Sequence, residues 1–106
     1  MEKLLKAARE GDADELKRII SNVEEDEIVD FVNAQKPVTN VCAMHLAAKG
    51  GFFDICEQLL QYGADLDLTN TDERTPLHFA AMKGFTDICK FFVENGAILD
   101  PRDVHY

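Results

Sequence analysis

The chain has 106 residues, of which 46% are apolar and 29% charged, so it is long enough for one globular domain with a modest hydrophobic core. Its formal net charge of -9 argues against nucleic acid and anionic membranes as partners, because both attract clustered positive charge. No apolar run in the sequence approaches the length of a membrane span or of a secretory signal.

Residues 1–34 open with MEKLLKAAREGD, in which charged and apolar residues follow the pattern of an amphipathic helix. A second helical face follows at Leu16, Ile19 and Ile20, spaced by three and four residues. The sequence therefore predicts two short helices at this end, and we expect Met1 to lie near a natural start of the protein.

We expect residues 21–31 to form a long loop that carries the acidic run Glu24 to Glu27. Most charge runs are simply solvated, and this is our interpretation here. A basic partner or loosely held calcium remains the alternative. The spacing differs from that of a calcium-binding loop with its central glycine and terminal glutamate.

The strongest pattern is an internal tandem repeat. The segment CAMHLAAKGGFFDICEQLLQYGADLD, which begins at Cys42, aligns without a gap with TPLHFAAMKGFTDICKFFVENGAILD, which begins at Thr75. The two segments are identical at 12 of their 26 positions. Residues 7–20 align with the same unit as a third, divergent copy. A tandem period of the length that separates Cys42 from Thr75 indicates a solenoid built from repeated helix pairs.

Each part of the unit has a local physical reason. Thr75 can cap a helix, and Pro76 suits the first helical position, where its missing N–H is not needed. Gly84 ends that helix, and Thr86 or Asp87 is expected to cap the second one. The second helix ends before a further glycine, and its apolar face consists of Ile88, Cys89, Phe92 and Val93.

The pattern TPLHFAA, then a glycine, then paired apolar residues and NGA resembles the ankyrin repeat. This resemblance implies an all-α fold, a solenoid of helix-turn-helix pairs linked by short β-hairpin loops. The Thr-Pro pair is replaced by Cys42-Ala43 in the preceding copy, so we expect a weaker helix start and a less regular hairpin there. The expected units are an N-terminal capping repeat at 1–34, repeats at 35–69 and 70–102, and the start of a further repeat at 103–106.

The C-terminal end carries no polar capping repeat in this sequence, so we expect apolar surface to remain uncovered there. Phe91 adds to this expectation, because it stands where the preceding repeat has the polar Gln58. Three explanations stay open. The chain is a fragment of a longer array, or this end docks on another copy or a partner, or residues 101–106 fold back as a cap.

The resemblance assigns His45 and His78 a structural role, in which the ring hydrogen-bonds helix and loop backbone groups. Cys56 and Cys89 take positions on the buried face of the second helix, where free cysteine is commonly inert. A zinc site from these four residues has little support, because the histidines lie on the other helix. Three cysteines without close pairing predict free thiols and an intracellular, cytoplasmic location.

The resemblance implies a protein–protein interaction module, such as a scaffold, adaptor or inhibitor, rather than an enzyme, and it implies no cofactor. The alternatives are a self-associating element that uses the uncapped end through Phe91, and the N-terminal part of a larger multi-repeat protein. Partners of such arrays contact the concave side, made of hairpin tips and first helices. The positions that match on this chain are Arg9, Glu10, Lys36, Val38, Lys49, Thr69, Thr71, Asp72, Arg74, Met82, Lys83 and Arg102. Met82 and Arg74 are the strongest candidates, because methionine adapts to apolar partners and arginine anchors interfaces.

Overall fold

The computed structural model describes residues 1–98, and the secondary structure of this part is helical. The helices are α1 Glu2–Glu10, α2 Ala13–Ser21, α3 Ile28–Val32, α4 Ala43–Gly50, α5 Phe53–Gln61, α6 Pro76–Lys83 and α7 Thr86–Glu94. Helices α1, α4 and α6 pack side by side in one row, while α2, α5 and α7 form a second row. Each first helix also packs on the second helix that follows it. The expected all-α stack of helix pairs is therefore confirmed.

The predicted start of α6 is present. The hydroxyl of Thr75 accepts a hydrogen bond from the backbone N–H of His78, and Nδ1 of His78 accepts one from the N–H of Thr75 at 3.1 Å. Cys42 occupies the same place before α4, where its N–H donates to Nδ1 of His45 at 3.1 Å. The loss of the Thr-Pro pair thus leaves this half of the cap intact, because it uses a backbone N–H that any residue except proline supplies.

The start of the second helix in the third repeat differs from the prediction. Neither Thr86 nor Asp87 caps α7: the capping position belongs to Phe85, which makes no side-chain capping hydrogen bond. The residue at this position is chosen for packing, since its ring lies against Gly51 of the preceding repeat. An apolar contact between repeats has therefore displaced the polar cap that a helix start usually favours.

This phenylalanine–glycine packing occurs at two successive repeat boundaries, and we call it the turn contact. A Cβ atom placed on Gly51 would lie 2.7 Å from Cζ of Phe85. A Cβ placed on Gly11 would lie 2.6 Å from Cε1 of Phe52, one repeat earlier. Both glycines also have a positive φ, 72° at Gly11 and 76° at Gly51, which ends the first helix of each pair. Glycine is thus required twice over, for its backbone conformation and for the close approach of the ring.

The loops that join the repeats are hairpin-shaped turns, and within residues 1–98 no β-strand is formed. The N–H of Lys36 donates to the carbonyl of Val41 at 2.8 Å, and that of Asn70 donates to the carbonyl of Arg74 at 3.0 Å. Together with the shorter-range turn bonds from Asn40 to Lys36 and from Glu73 to Asn70, these hydrogen bonds close turns and do not form a ladder between paired strands. The β-hairpin expectation therefore holds for the chain reversal and not for strand pairing.

The first of the two loops is the less regular one, as expected. Val38 and Asn40 adopt positive φ angles of 74° and 56°, whereas the second loop has one such non-glycine residue, Glu73 at 61°. A β-branched residue with positive φ is strained, and a strained exposed residue points to a constraint beyond local preference.

The segment 21–31 is not the long loop that the sequence suggested. It contains a turn of 3-10 helix at Glu25–Glu27 and most of the short helix α3. Val32 at the end of α3 is buried, and the side-chain amide of Asn33 donates to the carbonyl of Gly63 at 3.1 Å. The apolar residues of this insertion lie at helical spacing, and burying them against the next repeat favours a helix over a solvated loop.

Phe91 also lies elsewhere than expected. Its ring is half-buried against Phe53 of the preceding repeat, with the two ring centroids 5.0 Å apart. The side chain therefore faces back into the stack and not toward the C-terminal end. Self-association through Phe91 at that end, as the sequence suggested, has no geometric support.

The turn contact predicts unequal costs for two matched substitutions. Gly51 and Gly84 end equivalent helices with the same φ of 76°, but only Gly51 lies under a phenylalanine ring. We expect Gly84→Ala to lower the free energy of unfolding by about 1–2 kcal/mol through backbone strain, since no atom within residues 1–98 lies within 4 Å of the added methyl group. Gly51→Ala should cost roughly 1–3 kcal/mol more, because the added methyl group meets the Phe85 ring. Urea unfolding of both variants would measure the difference, and equal losses would contradict the turn contact.

Candidate functional site

Cationic, aromatic and sulfur-containing side chains lie along the outer sides of α1, α4 and α6. We call this group the first-helix surface, and it consists of Arg9, Lys49, Phe79, Met82 and Lys83. The three cations are in the last turns of their helices, where a positive charge interacts favourably with the helix dipole. The packing of α1 on α4 and of α4 on α6 makes the three helices neighbours in one row.

The middle of this surface is an apolar patch with positive charge at its border. The Nζ atom of Lys49 lies 5.9 Å from the ring centroid of Phe79, within the range of a cation–π interaction. The same ring packs edge-to-face with the imidazole of His45, at a centroid distance of 5.7 Å. Met82 follows Phe79 by three residues on α6, so the two share a helix face, and Met82 is 59% exposed. Such a patch can receive an apolar side chain next to a carboxylate.

The loop tips form a second group, which we call the hairpin tips: Lys36, Val38, Thr69, Thr71, Asp72 and Arg74. The backbones of the two loops are joined, because the N–H of Thr71 donates to the carbonyl of Thr39 at 3.1 Å. The side-chain amide of Gln35 donates to the carbonyls of both Asn40 and Thr69, at 2.8 and 2.9 Å. Val38 is 89% exposed at the tip of the first loop.

All the predicted contact residues within 1–98 are exposed, and Arg102 lies outside the described residues. The α1 pair consists of Arg9 and Glu10, and Lys49, Met82 and Lys83 lie on α4 and α6. The remaining six are the hairpin tips. The structure places Lys49 over the ring of Phe79, a residue that the sequence analysis did not single out. The spacing of Phe79 to Met82 and Lys83, three and four residues, was the available indication. Exposure alone does not establish contact with a partner, so their role stays a prediction.

Both ring nitrogens of His45 are engaged in hydrogen bonds to the backbone. Nδ1 accepts from the N–H of Cys42, so the ring proton is on Nε2, which donates to the carbonyl of Arg74 at 2.9 Å. The predicted bridge between helix and loop backbone is confirmed here. Burial lowers the pKa of His45 below its ordinary 6.5, and the hydrogen bond to the Arg74 carbonyl opposes this only in part.

The cysteines are likewise part of the packed interior. All three are buried and outside disulfides, and burial raises the pKa of Cys42 and raises that of Cys56 to about 12. A thiol that stays protonated is a poor nucleophile and a poor ligand. Within residues 1–98, no three histidine, cysteine or acidic side chains are grouped so that they could hold a metal ion. The acidic run Glu24 to Glu27 is exposed at every position.

The buried imidazole predicts a specific loss of stability in acid. The folded protein holds His45 neutral with a lowered pKa, while the unfolded chain binds a proton near the ordinary value of 6.5. The contribution of this residue is therefore complete above that pH and is lost as the pH falls through it toward the lower folded pKa. The free energy of unfolding, measured across the ordinary pKa of histidine, should decline toward acid, and His45→Gln should flatten this decline. An unchanged pH slope in the variant would refute the assignment.

Comparison with known proteins agrees with this geometry. No helix within residues 1–98 has the length and apolar character needed to cross a membrane. A comparison with curated proteins found no match to the chain. The family described as Ankyrin repeats (3 copies) matches residues 4–103, nearly the whole chain. The matched span includes most of α1 and all of the other helices, together with the two helix starts with their histidines and the glycines of the turns. The chain belongs to the ankyrin-repeat family.

Proposed function

We infer that this protein is an interaction module whose first-helix surface and hairpin tips bind a segment of a partner protein. Ankyrin repeats are generally protein–protein interaction modules, and this family is typically non-catalytic. The observation that carries the proposal is the patch of Phe79 and Met82 beside Lys49. Met82 is 59% exposed and shares a helix face with the half-buried ring of Phe79, so the two side chains offer an adjoining apolar contact.

The chemistry of the patch indicates the kind of partner. The chain as a whole is strongly acidic, with a net charge of -9, yet the first-helix surface carries Arg9, Lys49 and Lys83. We propose a partner segment with an aliphatic or aromatic anchor that contacts Met82 and a nearby carboxylate that pairs with Lys49. Opposite charge at the rim of such a contact favours encounter and orientation, while the apolar anchor supplies most of the affinity.

A purely structural role explains part of this arrangement and leaves part unexplained. Helix dipoles account for cations in the last helical turns, and His45 accounts for the edge packing of Phe79. Neither of these effects explains why a methionine is placed at the exposed position 82. We also propose an intracellular site of action, which three buried thiols support, and no catalytic role for these residues, since the buried histidine and thiols are occupied in packing.

Substitution on α6 tests the proposal. Met82→Glu places a carboxylate in the apolar patch, so we expect partner affinity to fall by about 2 kcal/mol, which is roughly a thirtyfold rise in Kd. The urea midpoint should change little, because the side chain is exposed. Quantitative affinity capture from a native extract, followed by titration of the captured protein, measures the effect.

Val29→Glu on α3 is the matched control. Val29 is 53% exposed and belongs to neither the first-helix surface nor the hairpin tips, and the charge change is the same. Because the Val29 side chain also lies against Gly63, binding is compared only once the urea midpoint of the variant matches that of the wild type. A partner retained by the wild type and Val29→Glu but weakened by Met82→Glu supports the proposal. A partner that tolerates Met82→Glu and is lost with Val29→Glu would place the binding surface elsewhere.

A further inference from the structure

A groove lined by aromatic rings lies between the second helices of the second and third repeats. Its volume is about 370 Å³, and its lining includes Phe53 on α5 and Phe91 on α7. Both phenylalanines are half-buried, and their ring centroids are 5.0 Å apart with the ring planes tilted by 51°. The groove belongs to the second row of helices, whereas the first-helix surface belongs to the first row. It is therefore separate from the surface proposed above.

The repeat itself does not require an aromatic ring at position 91. The equivalent residue of α5 is Gln58, which is also half-buried, and α5 has the same length as α7. A polar side chain at this position is thus compatible with the same helix pair. Phe53 covers part of the Phe91 ring, and Phe91 also borders the groove. Packing within the stack therefore leaves part of this side chain available for contact.

Carboxylates lie beside the ring of Phe91. Asp87 precedes it by four residues and Glu94 follows it by three, so both are its neighbours on the surface of α7, and both line the groove. Helices α5 and α7 together carry four carboxylates and one cation, Lys90. Within residues 1–98, none of these charged groups is in an ion pair. The groove thus combines aromatic rings with an excess of negative charge, which is the reverse of the first-helix surface.

We propose that this groove binds an extended basic segment of a partner protein, with an arginine side chain on the ring of Phe91. A guanidinium group stacks on aromatic faces and is more weakly hydrated than an ammonium group, so it leaves water more readily. Its planar set of donors also suits a carboxylate, so one arginine can contact Phe91 and donate to Asp87 or Glu94. The chain's net charge of -9 favours the approach of such a segment.

Two other occupants match the groove less well. An uncharged aliphatic segment would cover the rings and leave the neighbouring carboxylates desolvated without a partner, which is unfavourable. A second copy of this chain that docked through the same face would bring the four carboxylates of each copy together, and like charges repel. A basic segment avoids both costs.

A short capped peptide in which arginine alternates with leucine serves as the probe. It is titrated into the complete chain at low salt, and the ring proton resonances of the phenylalanines are followed. We expect saturable shifts at Phe53 and Phe91, and a higher Kd when lysine replaces arginine in the peptide. Phe91→Gln, which introduces the residue of the preceding repeat, should raise Kd roughly fivefold by removing the cation–π contact. Lys90→Gln should lower Kd, because Lys90 lines the groove and repels the peptide.

Two double variants that remove the same charge separate the groove from general attraction to an acidic chain. Asp87→Asn with Glu94→Gln should raise Kd roughly fivefold. Glu25→Gln with Asp26→Asn, in the acidic run, should leave Kd almost unchanged. All four side chains are exposed, so both double variants should keep the urea midpoint of the wild type.

Equal weakening by the two double variants would overturn the proposal. Equal affinity for the arginine and lysine peptides, together with an unaffected Phe91→Gln, would also overturn it. Ring shifts that appear when the protein is concentrated without peptide would assign the groove to a second copy instead. Met82→Glu should change none of these values, so a failure here is distinguishable from a failure of the proposal for the first-helix surface.

Discussion

The close approach of a phenylalanine ring to a glycine of the preceding repeat sets the distance between repeats. Phe52 and Phe85 can lie on Gly11 and Gly51 only because those residues lack a side chain. The fully buried alanines of α1, α4 and α6 continue the same close spacing along the helices. Small residues permit the backbones of neighbouring repeats to approach closely, and dispersion attraction stabilises the close contact. The stack is therefore stabilised by complementary packing of small and aromatic residues more than by large aliphatic side chains. The alignment of the exposed residues on the first helices follows from this spacing.

The contact also shows which features a single sequence reveals. The tandem period, the Thr75-Pro76 start and the glycine after each first helix are local and repeated, so their structural meaning could be predicted. Phe85 at the capping position could not be predicted by capping rules, because its reason lies in Gly51, a residue of another repeat. Local propensity and tertiary packing disagreed there, and packing decided the outcome.

The same distinction explains the other corrections. From the sequence, Phe91 is an apolar residue at a position expected to be exposed. In the structure its ring packs against that of Phe53, with the ring centroids 5.0 Å apart. The insertion at 21–31 reads as a loop because its acidic residues dominate the composition, while the apolar side chains of α3 decide its conformation. For the candidate site, periodicity located exposed positions such as Lys49 and Met82. It missed Phe79, whose importance depends on the neighbouring repeat through Lys49 and His45.

Gln35 lowers the conformational entropy that a ligand would have to overcome on binding the two loops. Its single amide group donates to carbonyls in two successive loops, at 2.8 Å to Asn40 and 2.9 Å to Thr69. The two loops therefore share one anchor, and a displacement of either disturbs a hydrogen bond of the other. A ligand that spans both loops finds their relative position already set, and forfeits less conformational freedom than it would in ordering two independent turns. One uncharged side chain, itself outside the predicted contact set, thus pre-organises the two loops as a single platform.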